Sequence, residues 1–352
     1  MWPTRPRISY REPVNLPLQV GPMQGFLDDA DAALAGSVKA GLDRVEDALH
    51  AAVATDVEFI AEPVRHSLAA GGKRFRPLLV LLAAHFGDPL AYGVVEAAVV
   101  VELTHLATLY HDDVMDESAV RRGAATANAR WGNAVAILTG DFLFSRASDI
   151  ISDLGPEAVR IESRTFSRLV TGQIRETQGV PPGADPVAHY LQVLDEKTAS
   201  LIATSARFGA MFSGASPAVV AAVQEYGEIV GVAFQLSDDL LDVASQANES
   251  GKTPGTDLRE GIHTLPALYA LRSTSGDASA VRLRELLSGP LTDDLRHAEA
   301  LELLRSSPAM EEARATTARY ASRAREVLAD LPDVPARAGL AALADFVLAR
   351  TG

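Results

Sequence analysis

Apolar residues recur at the i, i+3, i+4 spacing of an α-helix over long stretches of the sequence, for example 92–116, 134–153 and 217–247. No convincing run shows the two-residue alternation of a half-buried strand. The chain has 352 residues, of which 47% are hydrophobic, so it can bury a large core. The sequence therefore predicts an all-α fold built as one large multi-helix bundle.

Helix-breaking glycine and proline residues separate the predicted helices, but no segment between them is long enough to be an obvious interdomain linker. Residues 1–24 are proline-rich and lack a helical period, so we expect an extended or disordered N-terminal arm. The helical period starts directly after this arm. We expect residues 25–352 to form a single helical domain.

Composition excludes several classes of protein. No run of about 18 uncharged apolar residues occurs, which argues against a transmembrane segment, and the N-terminus lacks the apolar region of a signal peptide. The sequence has no cysteine, so disulfides and thiolate chemistry are excluded. A net charge of −14 disfavours binding to nucleic acid or to an anionic membrane. We expect a cytoplasmic protein.

Two acidic clusters follow apolar helical runs. The first is HDDVMD (111–116) and the second is SDDLLD (237–242), so both contain the pattern D-D-x-x-D. Residues four apart lie on one face of a helix, about 5.4 Å from each other along the axis. A single cluster reads equally well as a solvated helix face with capping aspartates. Two such clusters, each after an apolar run, favour a site in which carboxylates from two helices face a Mg²⁺–diphosphate cluster from opposite sides.

The basic residues support an anion site. The chain has 28 arginines and only four lysines, and three of those lysines lie in candidate anion sites. The segment GGKRFRP (71–77) places three cations just before a helix, where backbone amides also attract phosphate. Further candidates are Arg121, Arg122, Lys197 with Thr198, and Lys252. Taken singly, each basic group is more often part of a solvated surface.

Together these segments resemble the trans-type isoprenyl diphosphate synthases, also called polyprenyl synthetases. The resemblance covers residues 55–350 and rests on motifs in family order: GGKRFRP (71–77), ELTHLATLYHDDVMD (102–116), RRG (121–123), GDFLFSRA (140–147), KTASL (197–201), FQLSDDLLD (234–242), GKTPGTDLREG (251–261), TLPALYAL (264–271) and ADFVLAR (344–350). It implies an all-α bundle around a deep central cavity, a homodimer and about three Mg²⁺ ions. It also implies two substrates, an allylic prenyl diphosphate and isopentenyl diphosphate.

The resemblance assigns roles to residues. It implies metal binding by Asp112, Asp116 and Asp238, with Asp113, Asp239 and Asp242 in support. It implies that the allylic diphosphate is held by Arg121, Lys197, Thr198, Gln235 and Lys252. Isopentenyl diphosphate is then held by Lys73, Arg76, His105 and Arg122.

The implied reaction fits the residue chemistry. Cations neutralise charge on the leaving diphosphate, so the allylic C–O bond ionises in a water-poor pocket. The double bond of isopentenyl diphosphate then attacks the allylic cation. We expect the proton to pass to the departed diphosphate, so we nominate no general base from the protein.

Product length in this family is thought to depend on residues just before the first aspartate motif. Here these are Ala107 and Thr108, and the residues further up the helix are also small or medium in size. We therefore expect a product of C20 or longer. Phe142, Leu143 or Phe144 are candidates for the residue that closes the bottom of the product cavity.

One position departs from the family pattern. Ile262 stands where most relatives carry lysine, and we hypothesise that His263 substitutes for it.

Three alternatives stay open on the sequence. A class I terpene synthase would share the architecture, but it normally pairs one aspartate motif with an Asn/Ser/Glu motif. A non-catalytic subunit of a heteromeric synthase would be expected to lose aspartates from one motif. An acidic helical interaction protein would show no Mg²⁺-dependent binding of diphosphates.

Overall fold

The structure is a computed structural model that describes residues 31–69, 72, 74–121, 123–244 and 254–349. The predicted N-terminal arm (1–24) and three of the predicted cations, Lys73, Arg122 and Lys252, lie outside these described residues.

Helices dominate the described residues. In chain order they are α1 (Ala32–Ala52), α2 (Glu58–Ala69), α3 (Phe75–Ala84), α4 (Val94–Met115), α5 (Ala127–Trp131), α6 (Asn133–Asp153), α7 (Pro156–Gln178), α8 (Pro186–Val193), a π-helix (Leu194–Ala199), α9 (Ser200–Phe212), α10 (Pro217–Ala244), α11 (Thr256–Glu260), α12 (Leu265–Arg272), α13 (Ala278–Leu286), α14 (Asp294–Arg305), α15 (Pro308–Leu328) and α16 (Pro335–Ala349). The predicted all-α class is confirmed.

One short hairpin interrupts the helices. Strands β1 (Val120–Arg121) and β2 (Ala124–Ala125) pair antiparallel directly after α4. The turn passes through Gly123, whose φ of 76° lies in the region that favours glycine. Thr126 and Asn128 both donate to the carbonyl of Ser118, which holds the ends of the hairpin together. Two-residue strands carry no alternation that could be recognised in a sequence.

Helix α4 is the central element of the larger core. It packs against α1, α3, α6 and α9, and residues on all sides of it are buried, from Val94 to Tyr110. Among the described residues it is the one helix long and apolar enough to cross a membrane, yet 67% of its most apolar window is buried inside the protein. Helix α4 therefore packs as a core helix, and its C-terminal end carries the first acidic motif.

Helix α10 joins two hydrophobic clusters. Its first half, including Val223 and Val230, packs into the larger cluster formed with α1, α3, α4, α6 and α9. Its second half, including Leu236 and Leu240, packs into a smaller cluster formed with α12 to α15. The second acidic motif lies in this second half, so packing on both sides fixes its position.

Close packing of α9 on α3 depends on Gly209. A Cβ atom added there would lie 2.1 Å from the carbonyl oxygen of Val80, which is backbone and cannot rotate away. We expect Gly209→Ala to lower the free energy of unfolding by about 1–3 kcal/mol, because the two helices must separate. Chemical denaturation measures this change. The matched control is Gly36→Ala in α1, where nothing lies within 4 Å of the added atom, and a similar loss in both variants would contradict the prediction.

Candidate active site

The first acidic motif occupies the C-terminal turn of α4. Asp112 is partly buried, Asp113 is 6% exposed, and Asp116 is exposed at the end of the helix. Burial raises the pKa of Asp112 above its ordinary value; Lys197 and Arg121 oppose the rise, whereas Asp116 and Glu176 add to it. Asp112 therefore lies among charges of both signs.

The second acidic motif lies near the C-terminal end of α10. Asp239 is 6% exposed and accepts hydrogen bonds from the Tyr190 hydroxyl and, at 3.0 Å, from Gln235 Nε2. Burial raises the pKa of Asp239 well above its ordinary value, and the neighbouring carboxylates of Asp257, Asp242 and Glu176 raise it further. Asp238, on the same helix, is partly buried.

Asp242 binds the backbone of residues 255–257, at the start of α11. Its carboxylate accepts from the backbone N–H of Thr256 at 3.3 Å and of Asp257 at 3.4 Å, at the start of α11. Its carbonyl oxygen also accepts from the N–H of Gly255 at 2.8 Å. Asp242 thereby ties α11 to the acidic end of α10.

Shared neighbours show that the two motifs converge. Glu176, on α7, acts electrostatically on both Asp112 and Asp239. Glu260, on α11, has its pKa raised by burial first and then by Asp116 and Asp242, one residue from each motif. The acidic ends of α4 and α10 therefore face a common space.

The π-helix brings a cation to this space. Lys197 lies within it, forms an ion pair with Glu176, and acts electrostatically on Asp112. A π-turn is wider than an α-turn and is frequent at functional sites. Helix α7 approaches closely because Gly172 has no side chain: an added Cβ atom would lie 2.5 Å from the backbone nitrogen of Lys197. Thr198, the next residue, is partly buried.

Arg121 is held by the first motif. Its Nε donates to the carboxylate of Asp113, which places the guanidinium of the β-hairpin beside the acidic helix end. The carbonyl of Asp113 accepts from Asn128 Nδ2 at 3.0 Å. Asp113 thus binds the hairpin to α4.

The basic segment before α3 is anchored by one of its own arginines. Arg74 is 6% exposed and has a φ of 45°, and its guanidinium pairs with Glu46 and Glu102 at 2.9 Å each. The resemblance assigns Lys73 and Arg76, but not Arg74, to isopentenyl diphosphate, and the structure pairs Arg74 with carboxylates. Its charge is already matched by two carboxylates, so it positions the segment instead.

The start of α3 also contacts the second acidic helix. The rings of Phe75 and Phe234 stack with centroids 4.5 Å apart. Arg76, the next residue on α3, is partly buried. The stacking fixes the start of α3 relative to α10, on which Gln235 and the second motif follow directly.

The remaining predicted residues lie along α4, α6 and the segment after α11. His105 and Thr108 are partly buried, and Ala107 is fully buried beside Gly140 of α6. Leu143 is buried, and Phe142 and Phe144 are partly buried.

The segment after α11 carries the position that departs from the family pattern. His263 Nε2 lies 2.9 Å from the carbonyl oxygen of Leu287, and Ile262 is exposed. The substitution of His263 for the lysine that most relatives carry at position 262 stays a prediction.

Sequence reasoning missed three polar residues of the site. Glu176, Tyr190 and Glu260 each contact or influence an aspartate of the motifs. Glu176 lies in an ordinary amphipathic helix, and Tyr190 lies outside the motifs in sequence, so no local pattern distinguishes either residue from a surface group. Glu260 lies within the motif at residues 251–261, but the sequence alone assigns it no role.

The donor set suits Mg²⁺. The groups that converge are carboxylates, with no cysteine in the chain, and Mg²⁺ prefers oxygen ligands while keeping several waters or substrate phosphates. Within the described ranges, no three acidic or histidine side chains are close enough to form a complete metal cage.

Comparisons with known proteins identify the family. Residues 57–304 match the family model described as polyprenyl synthetase. A nonaprenyl diphosphate synthase of Mycobacterium tuberculosis is 52% identical over 93% of this chain and 97% of its own. A dimethylallyltranstransferase of the same organism is 42% identical over 90% and 96%.

A solved structure shares the fold. Geranylgeranyl pyrophosphate synthase from Corynebacterium glutamicum, complexed with calcium and isoprenyl diphosphate, has a TM-score of 0.82 at 46% identity, covering 92% of this chain and 98% of its own. The family model and these relatives define the chain as a prenyltransferase. The chain belongs to the polyprenyl synthetase family.

The buried Arg74 network generates a stability prediction. We expect Arg74→Met to lower the free energy of unfolding by about 3–5 kcal/mol, because it leaves Glu102, 2% exposed, without its cation. The matched control is Arg323→Met, which removes an exposed pair with Glu225 and should cost less than about 1 kcal/mol. Equal losses in the two variants, measured by denaturant unfolding, would contradict a positioning role for Arg74.

Proposed function

We propose that the protein condenses an allylic prenyl diphosphate with isopentenyl diphosphate and forms a longer trans-polyprenyl diphosphate. The observation that carries the proposal is the convergence of the two acidic helix ends, which share Glu176 and Glu260 as neighbours. Such a concentration of carboxylates suits a ligand that arrives with cations. The named relatives and the family model support the same reaction class.

The metal ligands in this proposal are Asp112, Asp116 and Asp238, with about three Mg²⁺ ions in the site. When bound, Mg²⁺ supplies positive charge that stabilises the leaving diphosphate. Asp113, Asp239 and Asp242 support these ligands through the hydrogen bonds described above.

The cations divide between the two substrates. For the allylic diphosphate we assign Arg121, Lys197, Thr198, Gln235 and Lys252. Arg121 and Lys197 act electrostatically on Asp112, which supports this assignment. For isopentenyl diphosphate we assign Lys73, Arg76, His105 and Arg122. The anchoring of Arg74 and the stacking of Phe75 support a fixed position for Arg76.

The reaction proceeds by ionisation, condensation and elimination. The allylic C–O bond breaks as the cations receive the diphosphate, and the double bond of isopentenyl diphosphate attacks the allylic carbon. The proton lost in the last step passes to the released diphosphate. No protein side chain is assigned as a general base.

We propose a product of C20 or longer. Ala107 and Thr108 are small, and residues 97, 100, 101 and 104 on the same helix are alanine, valine or threonine. From Asp112 to residue 97, α4 extends about 22 Å at 1.5 Å per residue. Residues 97–108 include no phenylalanine, tyrosine or tryptophan that would obstruct a growing chain.

A class I terpene synthase is the second candidate in this architecture. It would ionise the same allylic diphosphate and cyclise it without a second substrate. The presence of two D-D-x-x-D motifs favours condensation, and so do the relatives. A non-catalytic subunit is disfavoured because both motifs are intact.

We further propose a homodimer that works in the cytoplasm, with residues 25–352 as one domain. Exposed apolar side chains on two neighbouring antiparallel helices support the dimer: Ile137 and Leu138 on α6, and Val170 and Ile174 on α7. Burial of this patch against a second copy would remove it from water. The joining of both cores by α10 supports a single domain.

The enzymatic proposal predicts Mg²⁺-dependent turnover. Purified protein with isopentenyl and farnesyl diphosphates should form longer prenyl diphosphates with Mg²⁺ and none with EDTA, as read by chromatography of the dephosphorylated products.

We expect Asp112→Asn or Asp238→Asn to lower kcat/KM by about 100-fold or more. The control Asp333→Asn, at an exposed position, should stay within about twofold. Cyclic or hydrolysed C15 products alone would favour a terpene synthase.

The dimer proposal predicts a change in mass. We expect the double variant Leu138→Glu/Ile174→Glu to be monomeric in light scattering, because unpaired charges would be buried at the interface. Leu295→Glu, at a position 82% exposed on α14, is the control and should stay dimeric. A monomeric unmodified protein would contradict the proposal.

A further inference from the structure

A polar pair crosses the interior of the bundle between α4 and α7. Thr104 is 1% exposed, and its hydroxyl donates to Oε1 of Glu162 at 2.7 Å. The second carboxylate oxygen, Oε2, is inaccessible to solvent and has no hydrogen-bond partner among the described residues. Glu162 as a whole is partly buried, but a carboxylate oxygen that reaches neither water nor a hydrogen-bond donor is costly to retain, so its presence requires an explanation.

On α4, this pair lies below the active site. Thr104 precedes Asp112 by eight residues, which is about 12 Å along the axis at 1.5 Å per residue. Thr108 lies between them, one turn above Thr104. At 100° per residue the three side chains fall within about 80° of each other around the helix. They therefore line one face that leads away from the first acidic motif.

On α7, a second face runs from the active site to Glu162. Positions 176, 173, 169, 166 and 162 follow one another at three- or four-residue spacing and share one side of the helix. This side begins at Glu176, the partner of Lys197, and continues through Leu169 and Phe166. The ring of Phe166 packs edge-on against Phe144 of α6, with centroids 4.6 Å apart.

We propose that Glu162 sets product length: the Thr104–Glu162 pair closes the space between the two helix faces, and a prenyl chain must displace this contact to grow further. The inference rests on the proposed function. Carbon–carbon bonds of about 1.5 Å give each five-carbon unit a length of roughly 4–5 Å. The third or fourth unit of a growing chain therefore reaches the level of Glu162.

The protonation state of Glu162 changes how it meets an apolar chain. Burial raises the pKa of Glu162 to about 7, and the hydrogen bond from Thr104 opposes that rise. A neutral carboxyl can be covered by the chain at lower cost than a carboxylate, which must keep water or a cation. Longer products are therefore expected below the pKa and shorter products above it.

Of the charged groups on the neighbouring helices, Arg207 lies near the level of Glu162, whereas Arg146 and Glu102 pair with other residues. On α9, which runs antiparallel to α7, Arg207 lies near this level, and its buried Nε has no hydrogen-bond partner among the described residues. On α6, Arg146 pairs with Asp149 and donates to the carbonyl of Ala52. On α4, Glu102 pairs with Arg74, and His105 follows Thr104. Burial and Thr104 are the causes that set the pKa of Glu162.

The test compares product length in wild type, Glu162→Gln, Glu162→Leu and Thr104→Val at about pH 6 and about pH 8.5, where the neutral fraction of Glu162 is roughly 90% and roughly 3%. Chromatography of the dephosphorylated products gives the chain lengths. Glu162→Gln is the isosteric control that cannot ionise. Thermal melting of each variant verifies that it is folded.

We expect the mean product length of wild type to fall by at least one isoprene unit between the two pH values. Glu162→Gln should lose this dependence, and Glu162→Leu should give longer products at both. Thr104→Val should move the transition to higher pH, because it removes the hydrogen bond that lowers the pKa. Equal pH dependence in wild type and Glu162→Gln, or unchanged lengths in Glu162→Leu, would overturn the inference while leaving the condensation intact. Absence of any prenyl product from wild type would instead contradict the proposed function, and the inference with it.

Discussion

The burial of acidic side chains near one another, at the ends of two helices, is the constraint on which the site depends. Asp112 and Asp239 both have pKa values raised by burial and by neighbouring acids. The large apolar core holds α4 and α10 in place despite the cost of this burial. Lys197 and Arg121 offset part of the negative charge. In the proposed function, the remaining negative charge attracts the Mg²⁺ ions that hold the diphosphate.

Within each acidic motif, the two adjacent aspartates differ in burial and in contacts. The second aspartate of each, Asp113 and Asp239, is 6% exposed and accepts hydrogen bonds from protein groups. Asp113 holds Arg121, and Asp239 holds Gln235 and Tyr190. The first aspartates, Asp112 and Asp238, are more accessible. The second aspartate of each motif thus orients its surroundings, and in the proposed function the first one binds metal.

The sequence predicted the helical class and both acidic helix ends, because apolar periodicity and a repeated four-residue spacing are local signals. It could not predict that Arg74 is buried against Glu46 and Glu102, since those partners are 28 residues away on either side. Glu176 and Tyr190 were missed for the same reason: tertiary packing brings them to the aspartates. The β-hairpin was too short to leave a sequence pattern. The need for glycine at position 172 follows only from the close approach of the Lys197 backbone, which the sequence does not reveal.

The most direct test of the convergent acidic site is a binding measurement that does not require turnover. Calorimetry with farnesyl S-thiolodiphosphate, whose allylic bond resists ionisation, separates binding from chemistry. A site formed by the acidic ends of α4 and α10 predicts that this analogue binds tightly with Mg²⁺ and that its affinity falls at least about tenfold with EDTA. Asp112→Asn and Asp238→Asn should each weaken the binding. Equal affinity with Mg²⁺ and with EDTA would contradict a site in which metal ions join the carboxylates to the diphosphate.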